Sequence, residues 1–165
     1  MEKKCAEQIK FSADNTLVYT GKVEPILKED RANYACYFLN ATTTDTFYKY
    51  YPKYKITSKK ICILNFASYK NPGGGYLNGS MAQEESLCYA STLYNVLERQ
   101  KDYYAYNNKH LNYALYTNRA LYGPQIYFPA FDFYCDVITC AVPNLTACKK
   151  FNPEVAKKKF TFTRG

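Results

Sequence analysis

Two adjacent carboxylates, Glu84 and Glu85, follow Gln83, and seven residues separate Gln83 from a run of three glycines, Gly73, Gly74 and Gly75. Residues of these types at this spacing could do acid–base chemistry on a bound ligand. Successive glycines leave backbone amides unshielded and allow φ angles closed to other residues. Such a loop can press its backbone against a phosphate or a ribose, and a following helix start favours an anion. A carboxyl group held out of water can then give up a proton near neutral pH. The same acids also have a plainer role, because Glu in a first helical turn complements the helix dipole.

The elements that must position these residues are legible on either side. Ile61, Cys62, Ile63, Leu64 and Phe66 form a short apolar, β-branched run and predict a buried strand. Asn71-Pro72 breaks it, and the glycines open a loop. From Met81 or Ala82 the spacing of Leu87, Ala90, Leu93, Tyr94 and Leu97 predicts a helix with one apolar face. Strand, triglycine loop and helix thus follow directly.

The stretch NFASYKNPGGGYLNGSMAQEE closely resembles the signature of the microbial-type poly(ADP-ribose) glycohydrolases, which are divergent macrodomains. That signature is a triple glycine, a short spacer and Gln-Glu-Glu; here the spacer is Tyr76 to Ala82. Leu87-Cys88, Ser91 to Tyr94, Ile126 to Asp136 and the run ITCAVPN at Ile138 to Asn144 are similar to the family as well. The resemblance implies an α/β fold, a macrodomain-like three-layer α/β/α arrangement with a mixed central sheet. It implies one domain over residues 1–165, with residues 1–30 as an N-terminal helical accessory region and 31–165 as the macrodomain core. Family members usually continue with a further strand and a second glycine-rich loop of the Gly-Cys-Gly-x-Phe kind. No such segment stands before Thr163-Arg164-Gly165, so the core is expected to be truncated or completed by another chain covering the sheet edge.

The activity implied is glycohydrolase cleavage of ribose–ribose O-glycosidic bonds in poly(ADP-ribose), or of a related ADP-ribose linkage. By the same resemblance Glu85 is the general acid/base, Glu84 holds ribose hydroxyls and Gln83 positions the loop. Gly73, Gly74 and Gly75 admit the distal ribose and diphosphate, while Asn71 and Asn65 could bond sugar hydroxyls; for Asn71 a turn role, and for Asn65 a strand-closing role, stand beside this. No metal and no cofactor is implied. The alternative is a catalytically inactive ADP-ribose-binding module, a reader, or half of a split enzyme. Asp136 matches a family aspartate and is read as structural.

Composition bounds the rest. At 165 residues the chain is one domain with room for a core. No apolar run reaches a membrane span, and MEKKCAEQIKF is not followed by a signal-peptide core. Seven cysteines without paired spacing, and a single histidine, argue for free thiols in a reducing compartment and against zinc. The expected location is cytoplasmic, or nuclear. Expected partners are ADP-ribose or poly(ADP-ribose) attached to protein. A net charge of +8 and lysines around Tyr48, Tyr50, Tyr51 and Tyr54 leave nucleic acid open as a weaker alternative, since aromatic faces stack on bases.

In chain order, Lys3 to Phe11 predicts a helix and Asn15 to Tyr19 an extended piece. Asn33 to Leu39 predicts a strand, and Ala41 to Asp45 a loop or cap. Tyr122-Gly123-Pro124 predicts a turn, followed by strands at Gln125–Phe128 and Val137–Val142 and a last helix over Pro153–Phe160. His110 has no nearby acid to orient it and is read as structural.

Overall fold

The structure, a computed structural model, describes residues 2–21, 38–46, 48–49 and 61–159. Helix α1 (Glu2–Asp14) leads into β1 (Leu17–Thr20); β2 is Cys62–Phe66. Then come α2 (Gln83–Ala90), α3 (Leu93–Leu97), α4 (Lys101–Lys109), β3 (Arg119–Phe128), β4 (Phe133–Cys140), α5 (Leu145–Phe151) and α6 (Pro153–Lys159). The four strands form one mixed sheet in the order β1-β3-β4-β2. β1–β3 and β3–β4 are antiparallel, and β2 runs parallel to β4 with Leu64 opposite Ile138. The α/β class with a mixed sheet is as expected.

One sheet face is buried. Ile63, Leu121, Ile126 and Val137 pack under Leu87, Leu93, Val96 and Tyr104 from α2, α3 and α4, and Ala13 of α1 joins the same core. The opposite face, which the strand register assigns to Leu17, Tyr122, Ile138 and Leu64, is partly exposed: Leu64 is 45% exposed, Phe66 56% and Ile138 39%. β2 is therefore not the fully buried strand that its apolar run predicts. Only Ile63 and Asn65 are buried, because side chains alternate between faces and helices cover one of them.

The long helix expected after the glycine loop is two helices. Ser91 is extended, its hydroxyl donates to Leu87 O at 2.7 Å, and Thr92 docks on β3 through Thr92 N–H to Tyr127 O and Tyr127 N–H to Thr92 Oγ1. That pairing with the sheet outweighs helix continuation while keeping the apolar spacing. Likewise Tyr122-Gly123-Pro124 is not a turn but lies inside β3, at an irregularity in the ladder to β4. Proline has no N–H to offer a ladder, and the break accommodates it. Asp136 Oδ1 accepts from Gln125 N–H at 2.9 Å and Tyr122 Oη donates to Asp136 Oδ2, a structural role as expected. Gln125 O in turn accepts from Gln8 and Ser12 of α1, which ties the N-terminal helix to the sheet.

Other elements fall near expectation. Strand β4 begins earlier than Val137 and ends at Cys140, and α6 matches the last predicted helix over Pro153–Lys159, Phe160 lying outside the described residues. Thr42 Oγ1 caps the helical residues 43–46 by accepting from Asp45 N–H at 3.0 Å. Phe38 and Leu39 are in no regular element; the rest of the strand expected over Asn33–Leu39, and Tyr50, Tyr51 and Tyr54 of the tyrosine-lysine segment, lie outside the described residues. No helix among the described residues is long and apolar enough to cross a membrane.

Candidate active site

The parallel pair β2–β4 places the site. Its strands end side by side, and open-sheet α/β proteins hold ligands beyond such carboxyl ends. The chain leaves β2 at Phe66, turns through Ser68 to Asn71, makes the triglycine loop and enters α2, whose first turn returns Gln83, Glu84 and Glu85 to the end of β2.

Gln83 fastens that return. Its Oε1 accepts from Phe66 N–H at 2.9 Å and its Nε2 donates to Leu64 O at 2.8 Å, so one side-chain amide bonds the outer edge of β2 as a neighbouring strand would. Nε2 also reaches Thr43 Oγ1 at 3.3 Å.

Glu84 is buried. Its Oε2 accepts from Ser68 N–H at 2.7 Å and its Oε1 from Asn65 Nδ2 at 3.3 Å. Burial pushes its carboxyl up to about 7; the bonds from Ser68 and Asn65 oppose this, and the charge of Glu85 adds to it. Asn65 is fully buried, bridges Glu84 to Thr139 Oγ1, and keeps Oδ1 unpaired. Half a turn of its amide would present Oδ1 to Glu84, so Asn65 can face either protonation state of that acid.

Glu85 is also buried. Its Oε1 accepts from Gly75 N–H at 2.7 Å, while Oε2 is buried with no hydrogen-bond partner. An unpaired buried carboxylate oxygen is costly to keep out of water and calls for a partner.

Gly74 is required by these acids themselves. A Cβ on Gly74, where φ is +60°, would sit 2.5 Å from Glu85 Oε1 and 2.9 Å from Glu84 Oε2. A Cβ on Gly75 would meet Ser80 Oγ at 2.3 Å. Asn71 O accepts from Gly74 N–H, and Asn71 N–H donates to Ser68 Oγ; the Asn71 side chain is exposed. Glu84, Glu85, Gln83, Asn65 and the glycines are thus in one place, with Asn71 on the rim.

Ser68 and Thr139 escaped the sequence reading, in which Tyr104, with Tyr103 and Tyr106, is only a tyrosine that could stack on a ligand. Ser68 acts through its amide, which carries no side-chain signal. Tyr104 comes from α4 with its hydroxyl buried and unpaired, close enough to Glu84 to feel its charge. His110 caps the end of α4, stacked on Tyr106. Among the described residues no His/Cys/Asp/Glu group could hold a metal.

The catalytic-domain profile of the microbial-type poly(ADP-ribose) glycohydrolases matches residues 2–129. A crystal structure of poly(ADP-ribose) glycohydrolase from Deinococcus radiodurans, a T267K mutant in complex with ADP-ribose, is 30% identical with a TM-score of 0.71; the match covers 91% of this chain and 64% of that one. The enzyme from Thermomonospora curvata superposes with a TM-score of 0.69 at 24% identity, over 86% of this chain and 56% of that one. This chain therefore spans less than two thirds of the length of either relative. No curated protein sequence matches it. With its profile match covering most of the chain, and with strand, triglycine loop and Gln-Glu-Glu turn in one site, this chain belongs to the microbial-type poly(ADP-ribose) glycohydrolase family.

Proposed function

We propose that this chain carries the hydrolytic centre for ribose–ribose O-glycosidic bonds of poly(ADP-ribose), or of a related ADP-ribose linkage, with Glu85 as general acid and base. The unpaired, buried Oε2 of Glu85 carries this reading. Gly75 occupies the other oxygen, so Oε2 is the atom left to meet a glycosidic oxygen. From there Glu85 protonates the departing ribose hydroxyl as the C–O bond breaks and oxocarbenium character develops on the sugar. Glu85 then takes a proton from water as the hydroxide joins the anomeric carbon. Glu84 holds ribose hydroxyls, and Asn65 and Asn71 add amide contacts. A module that only bound ADP-ribose would have no use for a second carboxylate packed beside the first.

The partner of this site is ADP-ribose or poly(ADP-ribose) on a modified protein; the relative from Deinococcus radiodurans was crystallised with ADP-ribose. The partly exposed sheet face with Leu64, Phe66 and Ile138 supports a second chain lying beside β2, since a contiguous apolar face of this kind marks an interaction surface. Gln83 already occupies the β2 edge at residues 64–66, so an added strand would pair before that point.

The deciding experiment measures ADP-ribose release from automodified poly(ADP-ribosyl)ated protein by this polypeptide and by its Glu85→Gln variant. Release by the first alone supports the hydrolase. Calorimetric binding of ADP-ribose without release would replace it with a reader or a split enzyme.

A further inference from the structure

A second, unassigned cavity opens beside the carboxylates. It has a volume of about 600 Å³ and lies between the segments that leave β2 and β4, residues 67–71 and 142–146, with Tyr116 on its wall. It adjoins the site directly, because Ser68, which holds Glu84, lines it. The triglycine loop approaches both carboxylates, whereas this cavity reaches them through Ser68, whose amide holds Glu84.

Its wall is prebuilt. The Tyr116 ring is stacked nearly parallel on Tyr69, centroids 4.1 Å apart at 8°. Tyr69 is itself buried; its hydroxyl donates to His110 O at 2.9 Å and lies 2.8 Å from Thr117 Oγ1, and its carbonyl accepts from buried Asn107. Tyr116 has φ +63°, a conformation rare for a non-glycine residue, held by Asn112 Nδ2 on its carbonyl at 2.8 Å. Tyr69 covers one face of the Tyr116 ring, and no other ring among the described residues stacks on it. Lys70 lines the same cavity and has no acidic partner among the described residues; the Asn71 side-chain amide adds a donor and an acceptor.

An aromatic ring on the wall, a cation and an amide, around a space of this size, have the chemistry of a nucleotide site: base on ring, phosphate on ammonium. We propose that this cavity binds the adenine nucleotide unit on the leaving side of the scissile bond, its base on Tyr116 and its phosphate near Lys70. The assignment rests on the hydrolase reading for what the site serves, but the binding itself does not need turnover. The unit being released occupies the triglycine flank of Glu84 and Glu85, and the next unit of the polymer occupies the Ser68 flank.

Calorimetric titration with AMP and with adenosine, in the presence of saturating ADP-ribose, tests this on the full chain. AMP should bind the protein and its Tyr116→Phe variant alike. Tyr116→Ala should weaken AMP and adenosine about 10-fold or more. Lys70→Ala should weaken AMP and leave adenosine unchanged. Failure of AMP to bind, equal affinity in Tyr116→Ala, or exclusion of AMP by ADP-ribose would each overturn the subsite. Those results leave the Glu85→Gln cleavage test untouched, so the two readings fail separately.

Discussion

The backbone N–H of Gly75 donates a 2.7 Å hydrogen bond to Glu85 Oε1, while the other carboxylate oxygen is buried and unpaired. One oxygen is thereby fixed, and the other is the atom to which the proposed proton transfer is assigned. Glu85→Gln keeps the Gly75 contact and removes the transferable proton. We expect a loss of cleavage of about 10³-fold, in the range of general acid catalysis, with ADP-ribose affinity kept within a few-fold. Single-turnover kinetics beside calorimetry check it.

Gly74 separates the role of the loop from that of its backbone strain. Gly74→Ala places a methyl group against both carboxylates, so cleavage should fall about 10²-fold through misplacement of Glu85. Gly79→Ala provides the comparison. Its φ is +76° and a Cβ there meets nothing within 4 Å, so it should cost about 1 kcal/mol of stability and leave turnover intact. Equal loss of turnover in both variants would refute the contact argument.

Gln83 links α2 to the edge of β2 by two backbone bonds. Gln83→Ala should cost about 2 kcal/mol, at roughly 1 kcal/mol per bond, and lower kcat more than it raises KM. Gln83→Glu should restore little, since a carboxylate can accept from Phe66 N–H but opposes the Leu64 carbonyl. Thermal melts and steady-state kinetics on the pair distinguish positioning from contact with substrate.

Glu84 predicts a dependence of stability on pH. Its folded-state value, about 7, lies above the ordinary 4.5, so the folded protein binds more protons than the unfolded chain between these limits. Its contribution is most favourable below pH 4.5 and is lost as pH rises to about 7, by roughly 3 kcal/mol in total. Glu84→Gln should flatten this slope and stabilise the protein at pH 8. Urea unfolding at pH 5 and pH 8 measures both, and an unchanged slope would count against the buried, proton-binding Glu84.

The strand–loop–helix order was legible because each part has its own local cause. A β-branched run extends, Asn-Pro and glycines break, and a 3–4 spacing of apolar residues coils. The helix break at Ser91-Thr92 was not legible, because it comes from Thr92 pairing with Tyr127, a contact between distant parts of the chain. The exposure of Leu64 and Phe66 was hidden for the same reason: an apolar residue does not announce whether anything covers its face.

By itself the sequence determined which residues are candidates for the chemistry and in what order they come: glycines, Gln83, Glu84 and Glu85 at a spacing that one turn can close. Only the tertiary structure decided how they divide the work. It assigned Gln83 to the β2 edge, Glu84 to Ser68 and Asn65, and one oxygen of Glu85 to Gly75, leaving the other without a partner. Residue type sets what a group can donate or accept, whereas burial and partners, which fix its proton and its free atoms, arise only when β2, β4, α2 and α4 close around it.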